Sequence, residues 1–381
     1  MDKNVLLMIP GPTPVVRPIQ NEMGREIQAF GDPRFIGDFR ALIENLRGLL
    51  NCSGKVFSVA GTGTLAMEMA IANSTRRDNR VLIVSNGFFG DRFIDICTRK
   101  GLIVDVLSAE WGKCVTLEAI AQKLAENKYA AVTVSHVDTS TGVCAPLQEI
   151  GDLLALYPDT LYIVDGVAAT GGEATDFDAM HIDILFTASQ KAFGVCPGLL
   201  LLWASEQALA RRKELGTIPE YYVDFEKWLP IMDDPSKYFA TPAINLVWAL
   251  KKSTEIMQEE GMEARYARHL KNARALQAAF ETLGLTILAE KDCRAVTLSN
   301  LMYPAGVVDA AFRAKMFEEG VVVAGALAAY AGKAFRVGHM GNITQNDVVY
   351  LLGALERSLL ACGADIRLGS GVGKYMEEMA K

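Results

Sequence analysis

The first part of the chain is organised in blocks of apolar and polar character. Short apolar runs, Val56-Phe57-Ser58-Val59, Arg80-Val81-Leu82-Ile83-Val84, Ile103-Val104-Asp105-Val106-Leu107, Ala130-Ala131-Val132-Thr133-Val134, Leu161-Tyr162-Ile163-Val164 and Ile182-Asp183-Ile184-Leu185-Phe186, alternate with longer stretches of helical spacing at 38–50, 64–73, 89–100 and 117–127. The stretch from Asp38 to Leu50 puts Phe39, Leu42, Ile43, Leu46, Leu49 and Leu50 on one side, the spacing of a helix with one buried face. Strand–helix alternation with continuously apolar strands predicts an α/β fold, its mainly parallel sheet covered on both faces.

Beyond Leu202 the pattern changes. Residues 206–215 read as a helix, and 217–241 as a loop-rich stretch carrying Pro219, Pro230 and Pro235. A long helical region runs from Pro242 past Gly261 to about Leu283. Short strands follow at 295–298, 321–323 and 335–337, with helices at 308–319 and 345–362. This mixture predicts a smaller α+β domain beginning near residue 260. The last dozen residues, Gly-rich and then charged, read as a loosely held tail. At the other end, Pro10-Gly11-Pro12-Thr13-Pro14 is a stiff extended segment, because proline fixes φ and biases its predecessor toward extended geometry.

Composition narrows the class. At 381 residues the chain suits two unequal domains. A net charge of −7 argues against a nucleic-acid partner, which would call for a basic stripe. Seven scattered cysteines with no CxxC pair point to a reducing compartment. The apolar stretch at the N-terminus is too short for a signal-peptide core, and no apolar run approaches the roughly 20 residues of a membrane helix. A cytoplasmic protein with no membrane association is expected.

Candidate chemistry clusters where strands end. Three successive apolar runs finish in Ser135-His136-Val137-Asp138-Thr139-Ser140-Thr141-Gly142, in Asp165, and in Ser189-Gln190-Lys191. Hydroxyls, a carboxylate and an amine at neighbouring strand ends are how an α/β sheet presents a site, and this set reads as a pyridoxal phosphate (PLP) site. Lys191 would form the imine with the cofactor aldehyde, its pKa lowered by desolvation and a nearby cation; the alternative is a lysine snorkelling from a strand edge. Asp165 would pair with the ring nitrogen and keep it protonated; a helix cap or metal ligand is the other reading, though His136, His181, His269 and His339 fit no zinc spacing. Gly61-Thr62-Gly63 opens a helix and could cradle a phosphate on backbone N–H groups, or be a plain turn. In Asn86-Gly87-Phe88-Phe89-Gly90-Asp91-Arg92, Phe89 could stack on a planar ring or plug the core. Arg336, in Phe335-Arg336-Val337-Gly338, could clamp a carboxylate or join a surface ion pair.

Taken in order and at these separations, the motifs resemble class V aminotransferases of PLP fold type I, in the alanine/serine–glyoxylate (serine–pyruvate) branch. The resemblance runs from Pro10-Gly11-Pro12 to Asn342, and Ser189-Gln190-Lys191 with Pro197-Gly198 is its strongest motif. It implies a seven-stranded sheet in a large domain (16–258), after an N-terminal extended segment (1–15) and before a small C-terminal domain (259–381). By the same resemblance Lys191 and Asp165 are catalytic, Gly61, Thr62, Gly63 and Gln190 hold the phosphate, Thr139 binds near the phenolic oxygen, and Val167 and Phe89 cover the two ring faces. It further implies a homodimer with shared active sites, in which Tyr238 and Thr241 of a partner copy complete the phosphate site, and Arg336 holding the substrate α-carboxylate. The expected reaction moves an amino group from alanine or serine to glyoxylate or pyruvate. Several positions depart from the branch pattern: Phe89 where Trp is frequent, Asp138 where Glu is usual, Cys196-Pro197-Gly198 for Pro-Pro-Gly, and no His-Arg near residues 31–35. The stretch 30–42 is somewhat similar to aminoethylphosphonate–pyruvate aminotransferases, which is the alternative within the fold. A non-catalytic dimeric scaffold is the alternative from another class.

Overall fold

A computed structural model describes residues 5–381. The main sheet has seven strands: β1 (Lys55–Ala60), β2 (Arg80–Ser85), β3 (Ile103–Ser108), β4 (Ala131–Ser135), β5 (Leu161–Asp165), β6 (Ile184–Ala188) and β7 (Leu199–Ala204). Their order is β1-β7-β6-β5-β4-β2-β3, and only β7 runs antiparallel to its neighbours. Strands β4 to β7 are buried along nearly their whole length, as continuous apolar runs demand when helices cover both faces. The connections from β2 and β4 leave in opposite directions along the sheet, so a crevice opens at the carboxyl ends of these strands. The expected α/β class with a mainly parallel seven-stranded sheet is what the chain adopts.

A second apolar cluster lies in the C-terminal part, where Phe280, Leu301, Phe312, Phe335 and Leu355 pack together. Its sheet joins β8 (Leu298–Met302), β9 (Ala324–Gly325) and β10 (Ala334–Gly338) in the order β8-β10-β9. The N-terminal segment enters this region: Leu6 and Leu7 pair parallel with Val321 and Val322, and Met8 belongs to the second cluster.

Four elements differ from the sequence reading. Within the stretch taken as loop, Phe225–Asp233 is a helix despite Pro230. Phe225, Trp228, Ile231 and Met232 share one buried face, and Asp224 caps the helix while accepting both Nε and Nη2 of the buried Arg212. Burial of that face outweighs the hydrogen bond the proline omits. The strand placed at 295–298 begins instead at Leu298. Residues 295–297 bond to loops beside the main sheet, Ala295 N–H to Gly142 O (2.9 Å) and Thr297 Oγ1 to Ala168 O (2.6 Å). The tail read as loosely held contains a helix, Ser370–Ala380, packed on Met262–Thr282. Glu356 accepts the N–H groups of Gly369 (2.5 Å), Gly371 (2.8 Å) and Val372 (3.1 Å), so a carboxylate sits at the positive end of that helix. The long helical region 242–283 is two helices, Ile244–Glu260 and Met262–Thr282, broken at Gly261 with φ +80°.

Tyr375 is fully buried in this tail helix and its hydroxyl donates to Asn272 Oδ1 (2.8 Å). Tyr375→Ala should cost about 3–5 kcal/mol through the cavity it leaves, and Tyr375→Phe about 1 kcal/mol for the lost hydrogen bond. Urea denaturation of both variants measures the difference; a loosely held tail would leave both near zero.

Candidate active site

The carboxyl ends of β4, β5 and β6, with the first turns of the helices Gly63–Ser74 and Phe88–Arg99, surround a pocket that is partly open to solvent. Of the residues singled out from sequence, Thr62, Gly63, Phe89, Thr139, Asp165, Val167, Gln190 and Lys191 line it. Strands remote in sequence thus deliver their terminal polar groups to one place.

Lys191 lies in the tight connection between β6 and β7. Burial and the charge of Arg336 bring its amine down to about 8, with Asp165 acting in the opposite sense. Its Nζ donates to the carbonyl oxygen of Pro10. The backbone around it is held from outside: the fully buried Arg265 donates to Ala192 O (2.7 Å) and Gly171 O (2.9 Å), and pairs with Glu260 (2.8 Å). Arg265 carries no signal in the sequence pattern, since a lone arginine in a helix reads as exposed.

Asp165 ends β5. Burial pushes its carboxyl up to about 7, against the Val167 N–H that donates to Oδ1 (2.9 Å). Its other oxygen has no donor among the described residues, and no group of three or more His, Cys, Asp or Glu residues suited to a metal is found among those residues.

Asp138, which closes the hydroxyl-rich turn, organises the opposite wall. Oδ2 accepts the N–H groups of Phe89 (2.9 Å) and Gly90 (3.0 Å), and Oδ1 accepts from the N–H (2.9 Å) and Oγ (2.6 Å) of Ser140. Burial raises its pKa while these four donors lower it. The same network fixes the first turn of Phe88–Arg99 and leaves Phe89 on the pocket wall while Phe88 is 39% exposed. Arg92 also lines the pocket, donating to Thr64 Oγ1 (2.8 Å) with its guanidinium 4.9 Å from the Phe89 ring centroid. The sequence reading weighed only the aromatic of this segment; the spacing from Phe89 to Arg92, one helical turn, was the signal for the arginine.

Thr62 caps the helix Gly63–Ser74, and the Gly63 and Thr64 N–H groups of its first turn have no acceptor among the described residues, as an anion site requires. Gly61 is not part of the lining. Its N–H donates to Gly198 O (2.9 Å), and a Cβ there would fall 2.6 Å from Leu65 Cδ2, so close packing explains this glycine. Arg336 also stands outside the lining. It is half-buried, donates Nε to Gly325 O (2.8 Å) and has no ion pair among the described residues, unlike a surface salt bridge. Tyr238 and Thr241 are exposed away from the pocket, their hydroxyls 3.4 Å apart, and the Tyr238 ring lies tilted against Phe30 with centroids 5.0 Å apart.

A pocket with a basic-end lysine, an underbonded buried carboxylate, an aromatic wall and free first-turn N–H groups fits PLP. This is the arrangement of a PLP-dependent fold type I enzyme. The family model for class-V aminotransferases matches residues 30–335, and the chain belongs to that family. It is 36% identical to an uncharacterized aminotransferase of Methanocaldococcus jannaschii over 99% of this chain and 98% of the relative. It is 32% identical to alanine–glyoxylate aminotransferase 1 of Saccharomyces cerevisiae over 90% and 93%. Among solved structures it resembles ureidoglycine–glyoxylate aminotransferase of Bacillus subtilis, with a TM-score of 0.93 and 27% identity over 99% of this chain and 98% of that one. The chain is therefore a PLP-dependent aminotransferase, which sets aside the non-catalytic scaffold. No helix among the described residues is long and apolar enough to cross a membrane.

The buried Asp165 has a consequence for stability. Its folded-state value of about 7 lies above the ordinary 3.8, so between these limits the cofactor-free folded protein keeps a proton that the unfolded chain has released. That contribution destabilises the fold as pH rises from about 4 to about 7 and is constant above. Glu173, raised by burial to about 7, titrates in the same window, so the comparison needs a variant. Asp165→Asn should flatten its share of the profile and stabilise the cofactor-free protein by about 1–3 kcal/mol at about pH 8, while weakening PLP binding. Chemical denaturation of both cofactor-free proteins across that range checks the sign.

Proposed function

We propose that this aminotransferase moves the amino group of a small amino acid, alanine or serine, to glyoxylate or pyruvate. Support comes from the yeast relative and the Bacillus subtilis structure, both named for glyoxylate as acceptor, which match nearly the whole chain. The single observation that carries the reading is the convergence of Lys191 and Asp165 on one pocket, with the unpaired Arg336 close enough for its charge to reach Lys191.

In this reading Thr62, Gly63 and Gln190 hold the phosphate, with Gly61 as the packing residue behind them. Phe89 and Val167 confine the ring between them, Thr139 bonds near the phenolic oxygen, and Asp165 holds the proton on the ring nitrogen. PLP when bound supplies an electron sink for the pair left behind when the donor's Cα loses its proton. Lys191 Nζ takes that proton, which its lowered pKa allows near neutral pH. Arg336 binds the α-carboxylate and so orients Cα toward Lys191. The working unit is a cytoplasmic homodimer in which Tyr238 and Thr241 reach the phosphate site of the partner copy. Their exposure, and that of Ile27, Tyr221 and Phe30 on the same molecule, supports a covering surface. An N-terminal segment (1–15), a cofactor domain (16–258) and a small domain (259–381) complete the organisation.

Arg92 favours one second reading. A cation on the pocket wall suits an amino donor with a distal anion, such as 2-aminoethylphosphonate. Absorbance spectra of the purified protein, taken with alanine, serine and 2-aminoethylphosphonate in turn, separate the two. The expected outcome is a visible cofactor band bleached by alanine or serine and restored by glyoxylate or pyruvate; bleaching by the phosphonate alone selects the second reading. No band after added PLP sinks both, and Lys191→Ala should lack the band and lose at least about 10³-fold in kcat.

Arg336→Gln should raise KM for the amino donor by about 10–100-fold, the worth of a charge-assisted pair of hydrogen bonds. Steady-state kinetics at saturating acceptor measure it, and an unchanged KM would remove Arg336 from the substrate.

A further inference from the structure

The segment from Met8 to Thr13 contacts the site in a way that the roles above leave unused. Both of its ends are tied down. Met8 N–H donates to Val322 O (2.9 Å) and Met8 O accepts from Gly338 N–H (2.9 Å), two residues beyond Arg336 on β10. At the other end Thr13 N–H donates to Gln190 O (3.0 Å), and Thr13 Oγ1 donates to Lys191 O (2.7 Å). Thr13 is almost wholly buried there.

Between these ties the segment meets the lysine side chain itself. Lys191 Nζ donates to Pro10 O, and the stem lies along Gly11. A Cβ on Gly11 would fall 2.5 Å from Lys191 Cδ, 2.9 Å from Cε and 2.8 Å from Nζ. Gly11 also has φ +107°, a conformation open mainly to glycine. Gly338 shows the same intimacy at the far tie, where a Cβ would meet Ile9 O at 2.2 Å. The segment brings no charge with it, since nothing between Leu6 and Val16 is ionisable. The charges that act on Lys191 come from Arg336 and Asp165, and burial acts more strongly than either.

We propose that Met8–Thr13 is a strap that positions the Lys191 amine: the Pro10 carbonyl oxygen docks it, Gly11 admits its stem, and Thr13 fixes the backbone beside it. The proposal rests on the reading of Lys191 as the cofactor-binding amine. A lysine side chain has enough rotamer freedom to spend most of its time away from a reacting atom, and a fixed acceptor confines it. A carbonyl suits the task better than a carboxylate. It accepts from the amine in either protonation state, and it does not hold the proton on as an opposite charge would. Gly11 and Thr13 are accordingly positioning residues, acting through Lys191.

The test uses the full-length protein stripped of cofactor and then titrated with PLP. Acetylation of Lys191 by acetic anhydride, followed by peptide mass spectrometry across pH, gives the midpoint at which the amine becomes reactive. Gly11→Ala pushes the stem aside and admits water, so its midpoint should rise toward the ordinary lysine value, with the PLP dissociation constant increased about tenfold. Thr13→Val keeps the shape but removes the hydroxyl tie, and should move both quantities the same way by less. It carries the test if Gly11→Ala does not fold. A midpoint that fails to rise in both variants overturns the strap, even if PLP binding falls, because a merely structural role would lower stability without moving the amine. Failure of the wild-type protein to bind PLP would instead overturn the cofactor reading, while the midpoint comparison, made without cofactor, would still judge the strap.

Discussion

The interaction on which this molecule depends is the withdrawal of Asp138, Asp165 and Lys191 from water at the carboxyl ends of adjacent strands. Burial opposes the charged form of each, raising the two carboxyls and lowering the amine. An ion moved into a low-dielectric interior loses hydration worth several kcal/mol unless other groups replace it. Asp138 is compensated in large part by four donors, though burial still holds its carboxyl above the usual range. Asp165 has one, so its charge is far less compensated. The difference separates a carboxylate that organises the pocket wall from one with a single donor among the described residues.

The surroundings follow from holding these groups still. The Asp138 network sets the start of the helix Phe88–Arg99, and with it the aromatic wall and Arg92. Arg265 and Thr13 grip the backbone beside Lys191 from opposite directions. Arg265 is itself a buried charge, tolerated because two carbonyl oxygens and Glu260 share it. The C-terminal helix and the N-terminal segment both close onto the second apolar cluster, so the β10 strand that bears Arg336 is fixed against the rest of the chain.

Much of this was legible in advance. Strands buried on both faces carry mostly apolar residues, which is why the runs that became β4, β5 and β6 stood out and the sheet class followed. The helix Phe225–Asp233 was obscured because Pro230 reads as a breaker, although the spacing of Phe225, Trp228, Ile231 and Met232 was helical all along. The tail helix was missed for another reason: Gly369 to Gly373 looks like a linker until the Glu356 carboxylate is brought to its N–H groups. Eight of the residues named for the site converge on one pocket; Gly61, Arg336, Tyr238 and Thr241 do not line it within a single chain.

The sequence by itself determined the elements, the sheet class and the identity of the chemical groups, because hydrophobic periodicity and the positions of Lys191 and Asp165 after apolar runs are local properties. Only the tertiary structure decided which groups share an environment. Desolvation, the close approach of Gly11 to Lys191, the grip of Arg265 on Ala192 and the completion of Asp138 by Phe89 and Gly90 all join residues far apart along the chain. No periodicity records such meetings, since their energies exist only once water has been excluded from between them.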